Sequence, residues 1–142
     1  PINYIDKMKK VKMKNGEFVN LFNGLNEVKS LPGVKFGLAV AKNLRIIEEE
    51  LKDIETFSQP HEDFVELSKK FNDLKDSGAD EKKLKKLEKD NDKIIKSRQK
   101  QIDEVNSLLS EEVEIQLHAI AEDSLPETLT GQQIINIDKI IE

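Results

Sequence analysis

The side chains of this sequence best suited to chemistry are few. Two histidines, His61 and His118, lie on different elements, and one polar triplet, Lys42, Asn43 and Arg45, interrupts an apolar, small-residue stretch. His61 follows Pro60 and precedes Glu62 and Asp63, types that could ligate a metal; the plainer reading is a polar first turn on a solvated helix. His118 ends the alternating run Glu112–His118, on the same face as Glu114 and Gln116, where an imidazole could meet a ligand or a partner. Lys42, Asn43 and Arg45 offer two cations and an amide, suited to an anion or to a partner protein; charges beside a core are also ordinary helix surface. The carboxylate runs Glu48–Glu50 and Glu111, Glu112 and Glu114 have no converging partner for acid–base work. The Gly33–Gly37 segment lacks the spacing and the Lys-Ser/Thr of a phosphate loop, and no serine sits in a nucleophile motif. The expectation is a non-enzymatic protein without a metal or cofactor.

The elements that must position these residues are dominated by one stretch. From Val34 to about Ser110 the pattern predicts two long helices folded back around Ser77, Gly78, Ala79 and Asp80. Val40, Leu44, Ile47, Leu51 and Ile54 step by 4, 3, 4 and 3, the seam of a coiled coil. Phe57, Phe64, Leu67, Phe71 and Leu74 continue it, with a kink or fresh helix start expected at Pro60, which donates no backbone hydrogen bond. The return helix is capped by Asp80 and carries Leu84, Leu87, Ile94 or Ile95, Ile102, Val105 and Leu109, with Asn91 and Arg98 breaking the seam. Residues 48–66 have a net charge of −7 and residues 80–100 one of +4, so a hairpin sets Glu62–Glu66 against Lys89–Lys96. Exposed pairs contribute only about 0–1 kcal/mol each, which selects a register more than it stabilises one. Pairing with a second chain is the rival arrangement.

Around this arm (48–110) the sequence predicts a small base, residues 1–47 and 111–142, within one domain. Val11 and Met13 alternate with lysines as an edge strand; Asn15 can cap a helix with Phe18, Leu21, Phe22, Leu25 and Val28 on its apolar face. Gly37, Ala39 and Ala41 offer a surface for close approach of another element. Glu112–Ala119 alternates strictly and should pair with Val11–Met13 in a two-stranded ribbon, which needs packing beneath it to persist. Thr130, with Gln133 three residues on, signals a capping box before an isoleucine-rich last helix that closes the base or makes an interface. The fold class is α+β, mainly α.

Composition excludes several functions. No cysteine is present, which removes disulfides and thiolate metal sites. No apolar run approaches membrane-spanning length and no signal-peptide pattern occurs, so the expectation is a soluble, cytoplasmic protein. The formal net charge of −5 argues against nucleic acid as the main partner.

Four short words occur in order: Lys14-Asn15-Gly16; Ala41-Lys42-Asn43-Leu44-Arg45; Glu111-Glu112-Val113-Glu114-Ile115-Gln116-Leu117-His118; and Leu129-Thr130-Gly131-Gln132. With these words the chain resembles a family of small phage and prophage proteins of unknown function. The resemblance spans nearly the whole chain except Ser68–Lys100. It implies a phage origin, a location in the host cytoplasm or the virion, and a β-ribbon with a helical hairpin; it implies no activity. Two functional expectations follow. The first is a non-catalytic protein acting through a protein partner, either a phage structural or a host protein, with a homo-oligomer conceivable. The second is an anti-defence binder that sequesters a nucleotide signal between subunits, with Lys42, Asn43, Arg45 and His118 as its contacts.

Overall fold

A computed structural model describes residues 7–142; residues 1–6, assigned to the base by the sequence, lie outside the described residues. In chain order come β1 (Met8–Lys14), α1 (Glu17–Val28), α2 (Val34–Ser58), α3 (Glu62–Asp76), α4 (Glu81–Asp90), α5 (Asp92–Ser110), β2 (Glu112–His118), a 3-10 turn (Glu122–Ser124), α6 (Gly131–Ile137) and a second 3-10 turn (Asp138–Ile140). The class is mainly helical α+β with one two-stranded antiparallel sheet.

The described residues divide into two compact units, residues 7–54 with 108–142 and residues 55–107. The first extends further along α2 than the expected base did, because Leu51 and Ile54 pack against its core. That core is built from α1 (Phe18, Leu21, Leu25, Val28), from α2 (Phe36, Val40, Ile47), and from Val11, Met13, Leu117, Ile120, Ile137 and Ile140. The ribbon above it pairs Met8 with His118 through Lys14 with Glu112. Alternation does the sorting: Val11, Met13 and Leu117 are buried, while Lys12 faces Glu114 and Lys14 faces Glu112 across the exposed side. Ile120 then bridges to Ile141 in parallel, its N–H donating to Ile140 O at 2.7 Å, which ties the last turn to the strand's continuation.

Asn15 does not cap α1. The cap position is Gly16, with no side-chain hydrogen bond, and Asn15 is instead buried. Its backbone N–H donates to Glu111 O at 3.1 Å and its amide Nδ2 to Leu108 O at 2.9 Å, while Gly16 N–H donates to Leu109 O at 2.9 Å. These bonds satisfy carbonyls that the end of α5 leaves without intrahelical partners. The last helix has the expected capping box between Thr130 and Gln133. It closes the core with Ile137 and the turn's Ile140, but Ile134 and Ile135 stay 37% and 63% exposed. Gly24 lets α6 approach α1: a Cβ there would lie 3.0 Å from Asn136 Cβ. Gly37, expected to permit a similar approach, would carry a Cβ with nothing within 4 Å.

In the second unit, α2 ends at Ser58 and α3 begins at Glu62, the break expected at Pro60. Phe57 does not join the seam and is 71% exposed, because the helix ends one residue later and the register restarts with Phe64. The turn closes through Gly78 at φ +81, a left-handed conformation open to glycine, and Ala79 N–H donates to Leu74 O at 3.0 Å. Asp80 caps α4 by accepting from Lys83 N–H at 3.0 Å. The return is two helices, not the single one expected. Asn91, at φ −119 and ψ 27, bonds its Nδ2 to Leu87 O at 2.9 Å, which takes its backbone out of the helix for one residue. Arg98, late in the return, donates to Ser58 O at 3.0 Å and lies 5.7 Å from the Phe64 ring centroid, early in the outgoing segment. That is the relation an antiparallel hairpin within one chain demands.

Candidate functional site

Phe36, Val40, Asn43 and Ile47 follow one another at 4, 3 and 4 residues, the buried edge of α2. Asn43 is therefore a seam residue, fully buried. The open edge of β2 meets it. His118 stands opposite Met8 with its own N–H and C=O turned away from β1, and the neighbouring Ala119 N–H donates to Lys7 O at 2.7 Å. Asn43 Oδ1 accepts from His118 N–H at 2.7 Å, and Asn43 Nδ2 donates to His118 O at 2.9 Å. One side-chain amide thus acts as a third strand would, satisfying donor and acceptor of a single edge residue.

This juxtaposition joins two of the four residues singled out by the sequence, though not as a ligand set. Asn43 is engaged with the strand's backbone and buried beneath it. The His118 imidazole stands on the partly buried outer side. Lys42 is half-buried, and Arg45 is exposed. Arg45 ends a different stripe: Val34, Leu38, Ala41 and Arg45, spaced 4, 3 and 4 on the helix face turned from the core. Val34 is 79% and Leu38 39% exposed, and Ala41 is exposed between Leu38 and Arg45. His61 is the exposed residue preceding α3, and its side chain does not cap the helix. Among the described residues, no group of three or more His, Asp or Glu side chains is placed to hold a metal.

Two further positions, Glu17 and Gln101, escape the sequence pattern. Glu17 accepts from Lys139 Nζ at 2.9 Å and from Lys14 N–H at 2.8 Å. The Lys139 bond first, then the Lys14 N–H, holds its carboxyl below the ordinary value. Gln101 Nε2 donates to Phe57 O at 3.0 Å and to Gln59 O at 2.8 Å, and its Oε1 accepts from Arg98, so two α5 side chains cap the C-terminal carbonyls of α2. Their signal was Arg98 at a seam position with a glutamine three residues on.

The surface of the second unit is sorted by charge. On α4 and α5 the positions opposite the seam are Lys82, Lys86, Lys89, Lys93, Lys96 and Lys100, spaced 4, 3, 4, 3 and 4 and all exposed. The equivalent positions of α3 are Glu62, Glu66, Lys69, Asp73 and Asp76, also exposed. Like charges at such spacing destabilise a helix by about 0.2–0.5 kcal/mol per pair. The intrahelical pair Lys96–Asp92, at 2.9 Å, relieves one of them.

No known protein family, no curated protein and no solved structure matches the chain.

Proposed function

We propose that this is a phage-encoded, non-catalytic protein that works through protein–protein contact, as a virion or assembly component or as a modulator of a host factor. The observation that carries this reading is the apolar stripe on α2. Val34 and Leu38 stand in solvent beside Ala41 and an open Gly37, on a 25-residue helix whose other face is already buried. Isolated exposed aliphatics are common, but a stripe at helical spacing is the pattern by which a helix presents a contact surface. Arg45 at its end supplies the residue type enriched at protein interfaces. The phage origin rests on the resemblance of the chain's short sequence words alone. The structure gives the nucleotide-sequestering reading no added support, because Asn43 is committed to the strand.

A photo-crosslinking side chain at Val34, with one at Asp53 for comparison, tests the reading in cells that produce the protein. A discrete protein adduct from position 34, lost on Leu38→Glu while the circular dichroism spectrum is kept, is the expected result. Equal labelling from both positions, or an adduct indifferent to Leu38→Glu, refutes the role of this face.

A further inference from the structure

The six-lysine stripe of α4 and α5 is explained neither by the fold nor by the α2 surface. Its positions lie opposite the seam, so any soluble residue would satisfy the hairpin, and mixed signs would stabilise each helix better. All six are lysine nevertheless. Three of the six, Lys82, Lys86 and Lys89, line one shallow depression together with Asp80, Lys83 and Lys85. We propose that this edge of the hairpin docks the phosphate backbone of a nucleic acid without reading its sequence.

Three observations favour that partner over an acidic protein. The stripe holds no apolar or aromatic side chain, and lysine is the residue protein interfaces avoid. Lysine is a compact point charge suited to phosphates, whereas Arg98, the one arginine of the unit, is turned inward on Phe64. The stripe runs from Lys82 to Lys100 over two successive helices, roughly 27 Å at the helical rise, over which duplex DNA presents about sixteen phosphate charges. The net charge of −5 does not oppose this locally. Residues 80–100 hold nine bases against five acids, with Asp92 paired to Lys96, so a polyanion approaching the lysine edge meets a net positive charge.

The test uses the full chain and a fluorescein-labelled 20-base-pair DNA duplex, followed by anisotropy across a salt series. Expected is a Kd of about 1–100 µM near physiological salt. The logarithm of affinity should fall with the logarithm of salt at a slope near −5, following about −0.9 per phosphate neutralised. Lys86→Gln, Lys89→Gln and Lys93→Gln together should bring the slope nearer −3 and weaken binding at least tenfold at low salt. The same charge removed elsewhere, by Lys10→Gln, Lys12→Gln and Lys29→Gln, should change affinity less than twofold. Circular dichroism of both triple variants controls for folding. The proposal is overturned by absence of binding at 50 mM salt, or by equal losses in the two triple variants. Poly-glutamate competing as well as DNA at equal charge would overturn it in favour of an acidic protein. Salt-sensitive self-association without duplex binding would instead assign the stripe to the acidic edge of a second copy.

Discussion

Replacing Asn43 by leucine keeps the size of a fully buried side chain and removes both of its bonds to His118. The strand's N–H and C=O then lose their partners against an apolar helix face. An orphaned buried polar group costs about 1–3 kcal/mol, and two of them, eased by the half-buried setting of His118, amount to about 2–4 kcal/mol. That is a large share of the 5–15 kcal/mol typical of a folded domain. The substitution separates polar satisfaction from packing, since Asn43→Ala would add a cavity. Asn43→Asp is the more searching variant. Its ionised carboxylate could accept from His118 N–H but would meet His118 O with no donor, at a fully buried position. The protonated acid could bond to both groups, so the folded-state pKa must be raised above the unfolded value. The sign follows: the acid's contribution is full below the unfolded carboxylate value and is lost as pH rises through the folded one. The gap in urea midpoint between Asn43→Asp and wild type should therefore narrow from pH 7 to pH 4.5 and close only below the unfolded carboxylate value. Hydrogen exchange at the His118 amide should accelerate in Asn43→Leu at both. Wild-type stability and an unchanged His118 amide in Asn43→Leu would show that the amide is not what pins the strand.

Gly24→Ala forces a Cβ to 3.0 Å from Asn136 and should destabilise by about 1–3 kcal/mol. Gly37→Ala, with open space, should stabilise by about 0.5–1 kcal/mol, and paired calorimetric scans compare the two directly. Because Glu17 has a lowered folded pKa, its contribution is present above the unfolded value and fades as pH falls through the folded one. The melting-temperature gap between wild type and Glu17→Gln should accordingly close on acidification; a constant gap from pH 7 to pH 3 would exclude the linkage. Arg98→Ala removes the bond to Ser58 O and the contact over Phe64, and should cost about 1–2 kcal/mol, read as loss of helical signal at a lower urea concentration.

Much of this architecture is written in periodicity. The two ribbon strands, the break at Pro60, the Gly78 turn and the Thr130 box each follow from local rules that tertiary packing does not override. The misreadings share a cause, which is that polar side chains were assigned to their own element. Asn15 was read as a cap for the helix beside it, but it serves the end of α5. Asn91 interrupts the apolar seam by its type, and its amide, bonding backward to Leu87 O, also ends α4. Asn43 was grouped with Lys42 and Arg45 by adjacency. Its spacing from Phe36, Val40 and Ile47 placed it on the buried edge, and that spacing was the better guide. An asparagine's two-sided hydrogen bonding becomes specific only when the partner's free backbone edge is known, and no local pattern supplies that.

The ribbon joins residues 110 positions apart, Met8 with His118, and the segment between them includes the whole of the second unit. On a ribosome this imposes an order. The apolar faces of α1 and α2 are made first, and their cover from β2 and α6 is made last. Between Ile47 and Leu117 the ribosome needs on the order of 4–14 s at 5–20 residues per second. Throughout that interval the second unit can close on its own local contacts, while half of the core waits uncovered. The nascent chain thus carries a period of exposure to chaperones and to neighbouring chains that the finished protein does not.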